Sequence, residues 1–425
     1  MPLSDSFKAL RYRNFRLLWA GQLISFTGSM MQNAAILWHV SLLVPEEKKG
    51  LALGMVGLVR VLPIVGLSLM SGVVADALDR RRLMLYTQTG MALSATALAI
   101  LTFSGVKTVW PVYLLAALGT SFGSFDGPAR NALIPSLVSR EDLPNALSMN
   151  TIMFQAASIL GPSLGGVVIA TLGVAWVYAL NAVSFLMVIW ALLAMRDVPE
   201  RSAQDRAELS VKSALDGLRF VFQNPLIRST MLLDFFATFF SSATALLPIF
   251  AQDILHVGAH GYGALYAAPA IGAIVVGLVM VRWVDSIRRR GAVLFWAVAI
   301  YGLATVGFGI SRWFWLTFVM LAITGAADMV SAVLRNIIRQ LATPDHLRGR
   351  MTAVNMVFFL GGPQLGEMEA GLVAQGFGAT ASVVSGGIGC LAITAWTAAA
   401  TPDLRRYRKE EAVAPAAPAP RQVAE

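Results

Sequence analysis

Charge is what this sequence has least of. Asp, Glu, Lys and Arg make up 13% of its 425 residues, against 56% hydrophobic, whereas a soluble domain carries roughly 25% charged residues. One or two water-soluble cores cannot hide that much apolar surface, so the chain reads as a membrane protein. A disulfide scaffold is excluded, because Cys390 is the single cysteine and no intramolecular bridge is possible. The chain has no P-loop, so nothing here points to ATP hydrolysed on it as a driving force. It has no nucleophile elbow either, which removes the Ser/His/Asp hydrolases. The closest approach to metal-ligand spacing is Asp253, His256 and His260, but Gly258 and Gly261 interrupt any helix that would present them together. No metal and no cofactor are expected.

What is present is a series of apolar runs of membrane-spanning length, about 20 residues each. Twelve fall near residues 15–44, 51–75, 83–103, 109–125, 147–171, 174–195, 226–250, 262–284, 292–310, 314–337, 352–374 and 379–400. The expected class is therefore an all-α integral membrane protein with 12 transmembrane helices. The one long polar segment, 196–225, divides them into six plus six: a bundle over 1–195, a linker, and a second bundle over 226–400. Within the linker, LSVKSALDGLRFVF (209–222) alternates apolar and charged positions as a helix lying on the membrane surface would, or as a solvated linker helix. The remainder, 401–425, ends in the Ala/Pro-rich EEAVAPAAPAPRQVAE, a composition that cannot build a core and implies a disordered tail.

The net charge of +9 could suggest a nucleic-acid partner, but the Lys and Arg residues lie at the ends of the apolar runs. If Met1 is cytoplasmic, inside segments hold Lys8, Arg11, Arg13, Arg16, Arg80–Arg82, Arg288–Arg290, Arg348 and Arg350, and outside segments only Lys48, Lys49, Lys107 and Arg312. That asymmetry places both termini in the cytoplasm. The expected location is a cell membrane, crossed many times, with the chain acting as a monomer.

The chain repeats itself. GPSLGG at 161–166 returns as GPQLGE at 362–367, and Arg130-Asn131 returns as Arg335-Asn336. Two duplicated six-helix halves are the plan of a parallel-repeat transporter, which holds its substrate near the midplane and rocks one half against the other.

GVVADALDRRR (72–82), between the second and third runs, resembles the loop signature of the major facilitator superfamily, matching at Gly72, Asp76, Arg80 and Arg81. FDGPARNALIPSLV (125–138) and GLRFVFQNPLIR (217–228) resemble the branch of siderophore exporters and macrolide efflux proteins. GPSLGG resembles the GPxxGG signature of antiporters, through Gly161, Pro162, Gly165 and Gly166. The resemblance implies the major facilitator fold, export, and a bacterial inner (cytoplasmic) membrane as the location. It also implies that the second and eleventh helices meet along the seam between halves, and that the seventh and tenth line a central cavity. The helix-four arginine common in drug/proton antiporters is missing from LLAALGTSFGSF.

Ionisable groups within spans cost at least about 2.5–3.5 kcal/mol each on insertion scales and so face partners or cavities. Five stand out: Arg60, Asp234, Asp328, Glu367 and Glu369. Arg60 and Glu367 lie at overlapping depths, so a pair between Arg60 and Glu367 or Glu369 is expected, either as a state-dependent, proton-coupled switch or as a fixed structural pair. The two glutamates point about 200° apart, so only one fits. Asp234 and Asp328 are cavity candidates, as are Asn33 and His39 on the first helix, which suit a helix-to-helix hydrogen bond equally well. Asp126 with Arg130, and Asp328 with Arg335, share helical faces and suggest an inner-gate network.

Together these features predict a secondary transporter exporting a siderophore, macrolide or other amphiphile in exchange for H+. An uptake symporter or lipid flippase is the alternative within the class, and a non-transporting receptor or enzyme the alternative outside it.

Overall fold

The computed structural model describes residues 7–196, 218–344 and 347–409, which form helices and turns with no strand among them. The first half comprises α1 (Arg13–Leu43), α2 (Lys49–Ala77), α3 (Arg80–Phe103), α4 (Trp110–Leu133), α5 (Leu143–Thr171) and α6 (Val174–Ala194). The second comprises α7 (Pro225–Ser241), α8 (Gly258–Trp283), α9 (Arg290–Ile310), α10 (Phe314–Ala342), α11 (Arg348–Phe377) and α12 (Ala379–Ala400). Each expected apolar run holds one of these helices. Nine spans among the described residues are long and apolar enough to cross a membrane. The other three, α1, α4 and α11, carry the polar residues Gln22, Asp126 and Glu367.

The helices overrun the apolar windows where α4 ends and α5, α10 and α11 approach the same membrane side. Hydropathy marks the part in hydrocarbon, but backbone hydrogen bonding continues until a cap stops it. α8 begins at Gly258, where a break was expected, because the positive φ of Gly258 (63°) turns the chain into the helix instead of ending it. α7 does break, at Ser242. It resumes through a 3-10 turn (Ala243–Leu246), one α-turn (Leu247–Ile249) and a π-turn (Phe250–Ile254).

The packing repeats between halves. α1 lies on α5 and α6 as α7 lies on α11 and α12, and α3 lies on α4 and α6 as α9 lies on α10 and α12. The halves meet along two seams, α2 on α11 and α5 on α8. At the end away from the chain termini, the distal end, one apolar core draws on both halves: Leu37, Val40, Leu53 and Tyr178 pack with Leu246, Phe250, Tyr262 and Phe308. At the terminal end the cores are separate, one built on Phe15, Leu18, Met84 and Leu133, another on Leu233, Leu294, Leu334 and Ile338. Among the described residues the apolar cores of the halves are joined distally and separate toward the termini.

One boundary differs from expectation. Residues 402–406, assigned to a disordered tail, form α13 (Pro402–Arg406). Leu404 and Tyr407 are buried against the second half, Gly291 N donates to Tyr407 O (3.1 Å), and Lys409 N donates to Arg288 O (3.0 Å). Two apolar residues three apart suffice to dock one turn, a signal hidden by the Ala/Pro-rich stretch that follows. Residues 410–425 lie outside the described residues, as does most of the amphipathic linker helix expected at 209–222. Of that helix, 218–223 are helical and Val221 joins Ile227, Met231 and Met351 in a small core.

Candidate transport site and gates

The seams are built on glycine. A methyl group on Gly54 would come within 3.0 Å of Gly371 Cα, and one on Gly57 within 2.8 Å of Glu367 Cβ, so α2 and α11 touch at backbone distance. The GPSLGG motif divides its work. Gly161 and Gly165 face α1, with a Cβ at Gly161 meeting Thr27 O at 2.8 Å and one at Gly165 meeting Met31 Cα at 3.4 Å. Pro162 and Gly166 face α8, where a Cβ on Gly166 would lie 2.7 Å from Ala259 O and the Pro162 carbonyl closes on Gly263. The second copy repeats the plan: Gly362 and Gly366 pack on Thr238 and Phe239 of α7, and Glu367 turns to the α2 seam. α5 runs unbroken through Pro162, because in lipid neighbouring helices cover the carbonyls that proline frees.

Arg60 and Glu367 both lie buried at this seam. Among the described residues no ion pair or hydrogen bond joins them, and Arg60 Nη2 and Glu367 Oε2 are buried without a partner, as is Gln364 Oε1. Arg60 lies within electrostatic range of Glu367, of Tyr178 on α6, and of Tyr262 and Tyr266 on α8. The sequence reading expected a direct bridge. The two residues reach one interface without bonding to each other. Glu369 is half-buried on the other side of α11.

In the second half Asp234 is not a free cavity residue. It accepts from Arg335 at 2.8 Å and lies 4.0 Å from Arg339, because α7 presses its buried face on α10. Arg335 also reaches Asp328 at 3.4 Å and donates to Ser331 Oγ at 2.7 Å. Arg339 donates to Asn355 on α11. Asp328 keeps 43% of its side chain exposed and lines a cleft of about 190 Å³ with Thr238, Tyr301, Ser331 and Arg335. In the first half Asp126 accepts from Thr87 (3.2 Å), Gln88 (2.9 Å) and Arg130 (3.4 Å). The expected pairs Asp126–Arg130 and Asp328–Arg335 therefore form, but each lies within its own half.

His39 is buried at the distal end with Nδ1 3.1 Å from Tyr178 Oη, a helix-to-helix contact set by α1 packing on α6. Asn33 is half-buried, and its neighbour Gln32 accepts from Asn181 of α6 at 2.8 Å.

The loop motif works through its arginines. Arg80 donates to Ala132 O of α4 (2.5 Å), and Arg81 to Leu192 O (2.7 Å) and Leu193 O (3.3 Å) of α6. Both cations sit on helix C-terminal carbonyls, where the helix dipole favours them. The turn is capped by Asp79, which accepts from Arg82 N at 2.7 Å. Gly72 and Asp76 lie in the last turns of α2, and their surroundings are outside the described residues.

The distal latch was not legible in the sequence. Lys49 at the start of α2 holds both oxygens of Asp253 (2.9 and 3.0 Å), and Gln252 Nε2 donates to Ser41 Oγ at 2.7 Å. Tyr262 Oη donates to Ala34 O at 2.8 Å, and Leu51 N to Gln375 Oε1 at 3.1 Å. Each of these bonds crosses from one half to the other at the distal end. A charged residue in each of two loops about 200 positions apart carries no pattern, although one signal was available: Lys49 is among the few basic residues expected outside.

Comparison with known proteins agrees with this architecture. The enterobactin exporter EntS of Escherichia coli O1:K1 is 29% identical over 345 residues, 81% of this chain and 82% of that protein. The EntS of Citrobacter koseri is 29% identical over 361 residues, 83% and 84% of the two chains. Among solved structures, a bacterial homologue of the human lysosomal transporter Spinster, inward-facing and unoccupied, superposes with a TM-score of 0.72 at 13% identity, covering 94% of this chain and 99% of that one. A bacterial homologue of the iron transporter ferroportin, inward-facing, superposes with a TM-score of 0.65 at 15% identity, covering 90% and 98%. A family model described as transmembrane secretion effector matches residues 4–424. This multi-pass membrane transporter belongs to the transmembrane secretion effector family of the major facilitator superfamily.

Proposed function

We propose that the protein exports an amphiphilic small molecule, of the siderophore or macrolide kind, from the cytoplasm in exchange for H+, with Glu367 as the proton-carrying group and Arg60 as its counter-charge. The observation that carries this reading is the pair of buried, mutually unbonded charges at the α2/α11 seam. A seam that opens and closes changes the distance between them, and a buried carboxyl that gains or loses a cationic neighbour gains or loses its reason to be ionised. The names of the EntS relatives support export over uptake. The excess of basic residues on the terminal side supports a cytoplasmic position for that end, and hence an inward-open, distally closed state of a monomer.

The test is dissipation of a pH gradient in inside-out vesicles on addition of candidate siderophores and macrolides. Wild type should release the gradient with its substrate, Glu367→Gln should not, and Glu369→Gln should retain most of the response. Undiminished release in Glu367→Gln ends the role given to this carboxyl. A wild-type protein that moves substrate without any proton flux ends H+ coupling.

A further inference from the structure

Arg130 and Arg335 occupy matching places in the two repeats, each followed by Asn, yet their charges are met very differently. Arg335 has only 2% of its side chain exposed and is held by two carboxylates, Asp234 and Asp328, and by the Ser331 hydroxyl. Arg130 has one acid, Asp126, at 3.4 Å, and that carboxylate already accepts from Gln88 and Thr87. Its other polar neighbour, Gln22 Oε1, also stands at 3.4 Å. The guanidinium lies over the ring of Phe26, 4.4 Å from its centroid, an arrangement that occupies its face and leaves its edge donors free.

The surroundings contain donors in excess. Arg130 Nε and Gln22 Nε2 are both buried with no hydrogen-bond partner, although Gln22 is 2% exposed and an unmet buried donor costs about 1–3 kcal/mol. Gln88 Oε1 is the one buried acceptor nearby that is also unpartnered. Beside them an aromatic wall continues outward, with Phe26 edge-on to Phe154 at 5.8 Å and Phe154 itself exposed. Arg130 keeps 14% of its side chain accessible, seven times the share left to Arg335.

We propose that Arg130 and Gln22 form a substrate subsite in the first half that binds an anionic oxygen group carried on an aromatic or apolar body, with Gln88 Oε1 accepting a hydrogen bond from a hydroxyl of the same ligand. A carboxylate or phenolate meets the two open donors with charge-assisted hydrogen bonds, and the ring of such a ligand stacks against Phe26 and Phe154. In the second half Arg335 Nε is also buried without a partner, but its charge is already met by the carboxylates of Asp234 and Asp328. The inference deepens the export reading and relies on it only for the direction of movement, because binding itself requires no gradient.

Equilibrium binding to the purified full-length protein tests it, with 1-hydroxy-2-naphthoate and its neutral carboxamide as fluorescent probes of the same shape. Wild type should bind the anion at least about tenfold more tightly than the amide, the worth of one charge-assisted contact. Arg130→Gln should remove that preference, Arg130→Lys should keep part of it, and Gln22→Leu should weaken the anion several-fold with the melting temperature unchanged. Equal affinity for the two probes in wild type, no binding of the anion, or an anion preference that survives Arg130→Gln in folded protein would each overturn the subsite. Anion binding without gradient-driven movement in vesicles would instead leave the subsite standing and count against export.

Discussion

Gly166 on α5 and Gly263 on α8 face each other across the seam between halves, so that a Cβ on either would lie 2.8 Å from the other's Cα. The corresponding position in the second repeat is Glu367, set against Gly57 of α2. One seam is thus sealed by bare backbone and the other carries a charge.

Replacing Gly166 by Ala should therefore force α5 and α8 apart. The obstacle is backbone, the Ala259 carbonyl at 2.7 Å, which cannot rotate away, and overpacking of this kind costs about 1–3 kcal/mol. The expected result is a lower melting temperature in detergent and increased labelling of distal-end cysteines placed at the seam. Gly123→Ala, where a Cβ would meet only the Met91 sulfur at 3.9 Å, should change neither.

Lys49 and Asp253 form a distal bond between halves with side chains 10% and 30% exposed. Such a partly screened pair is worth about 1 kcal/mol or less. Lys49→Ala and Asp253→Ala should each shift the protein toward the distally open state, and the double variant should add little to either single one. Accessibility of a cysteine at Val40, buried in the shared distal core, to a membrane-impermeant reagent would report the shift; additive effects would show that the pair does not act as a unit.

Arg81 satisfies two carbonyls in the last turns of α6. Arg81→Leu should lower stability by about 0.3–1 kcal/mol, and Arg81→Lys should recover only part, because an ammonium lacks the planar fork that spans two acceptors. Thermal unfolding of the three proteins side by side decides the order.

The N-terminal segment should detach in acid. Asp142 accepts from the Tyr12 hydroxyl (2.8 Å) and from Arg11 (2.5 Å). The Tyr12 hydrogen bond first, and then the charge of Arg11, hold the carboxyl below its ordinary range against the opposing effect of burial. A depressed carboxyl contributes stability that is present above its unfolded pKa and is lost as pH falls through the folded one. Proteolytic cutting before α1 should accordingly rise as pH drops below the normal Asp range, whereas Asp142→Asn should show pH-independent cutting there.

The sequence was most informative where a physical rule acts on neighbouring positions. Apolar length placed the helices, nine of them among the described residues long and apolar enough to cross a membrane, and the i, i+4 and i, i+7 spacings correctly joined Asp126 to Arg130 and Asp328 to Arg335. It was least informative where partners lie far apart along the chain. Asp234 looked like a cavity acid because nothing local to α7 announces Arg335, a hundred residues away. Tyr178 and Tyr262 passed as ordinary apolar content until the fold set them near Arg60. The GPSLGG copy at 362–367 fell between these cases: repetition marked the place, and only packing showed that its first glycines serve their own half and its last position the seam.

The docking of α13 has a practical side. Leu404 O lies so close to Gly291 that no side chain fits between them, and Tyr407 O receives the Gly291 amide, which makes the segment after α12 a clasp on the start of α9. A reporter domain fused at residue 400 would remove that clasp and leave Gly291 and the surrounding apolar residues uncovered. Joined after Lys409, the same reporter would hang from an intact bundle.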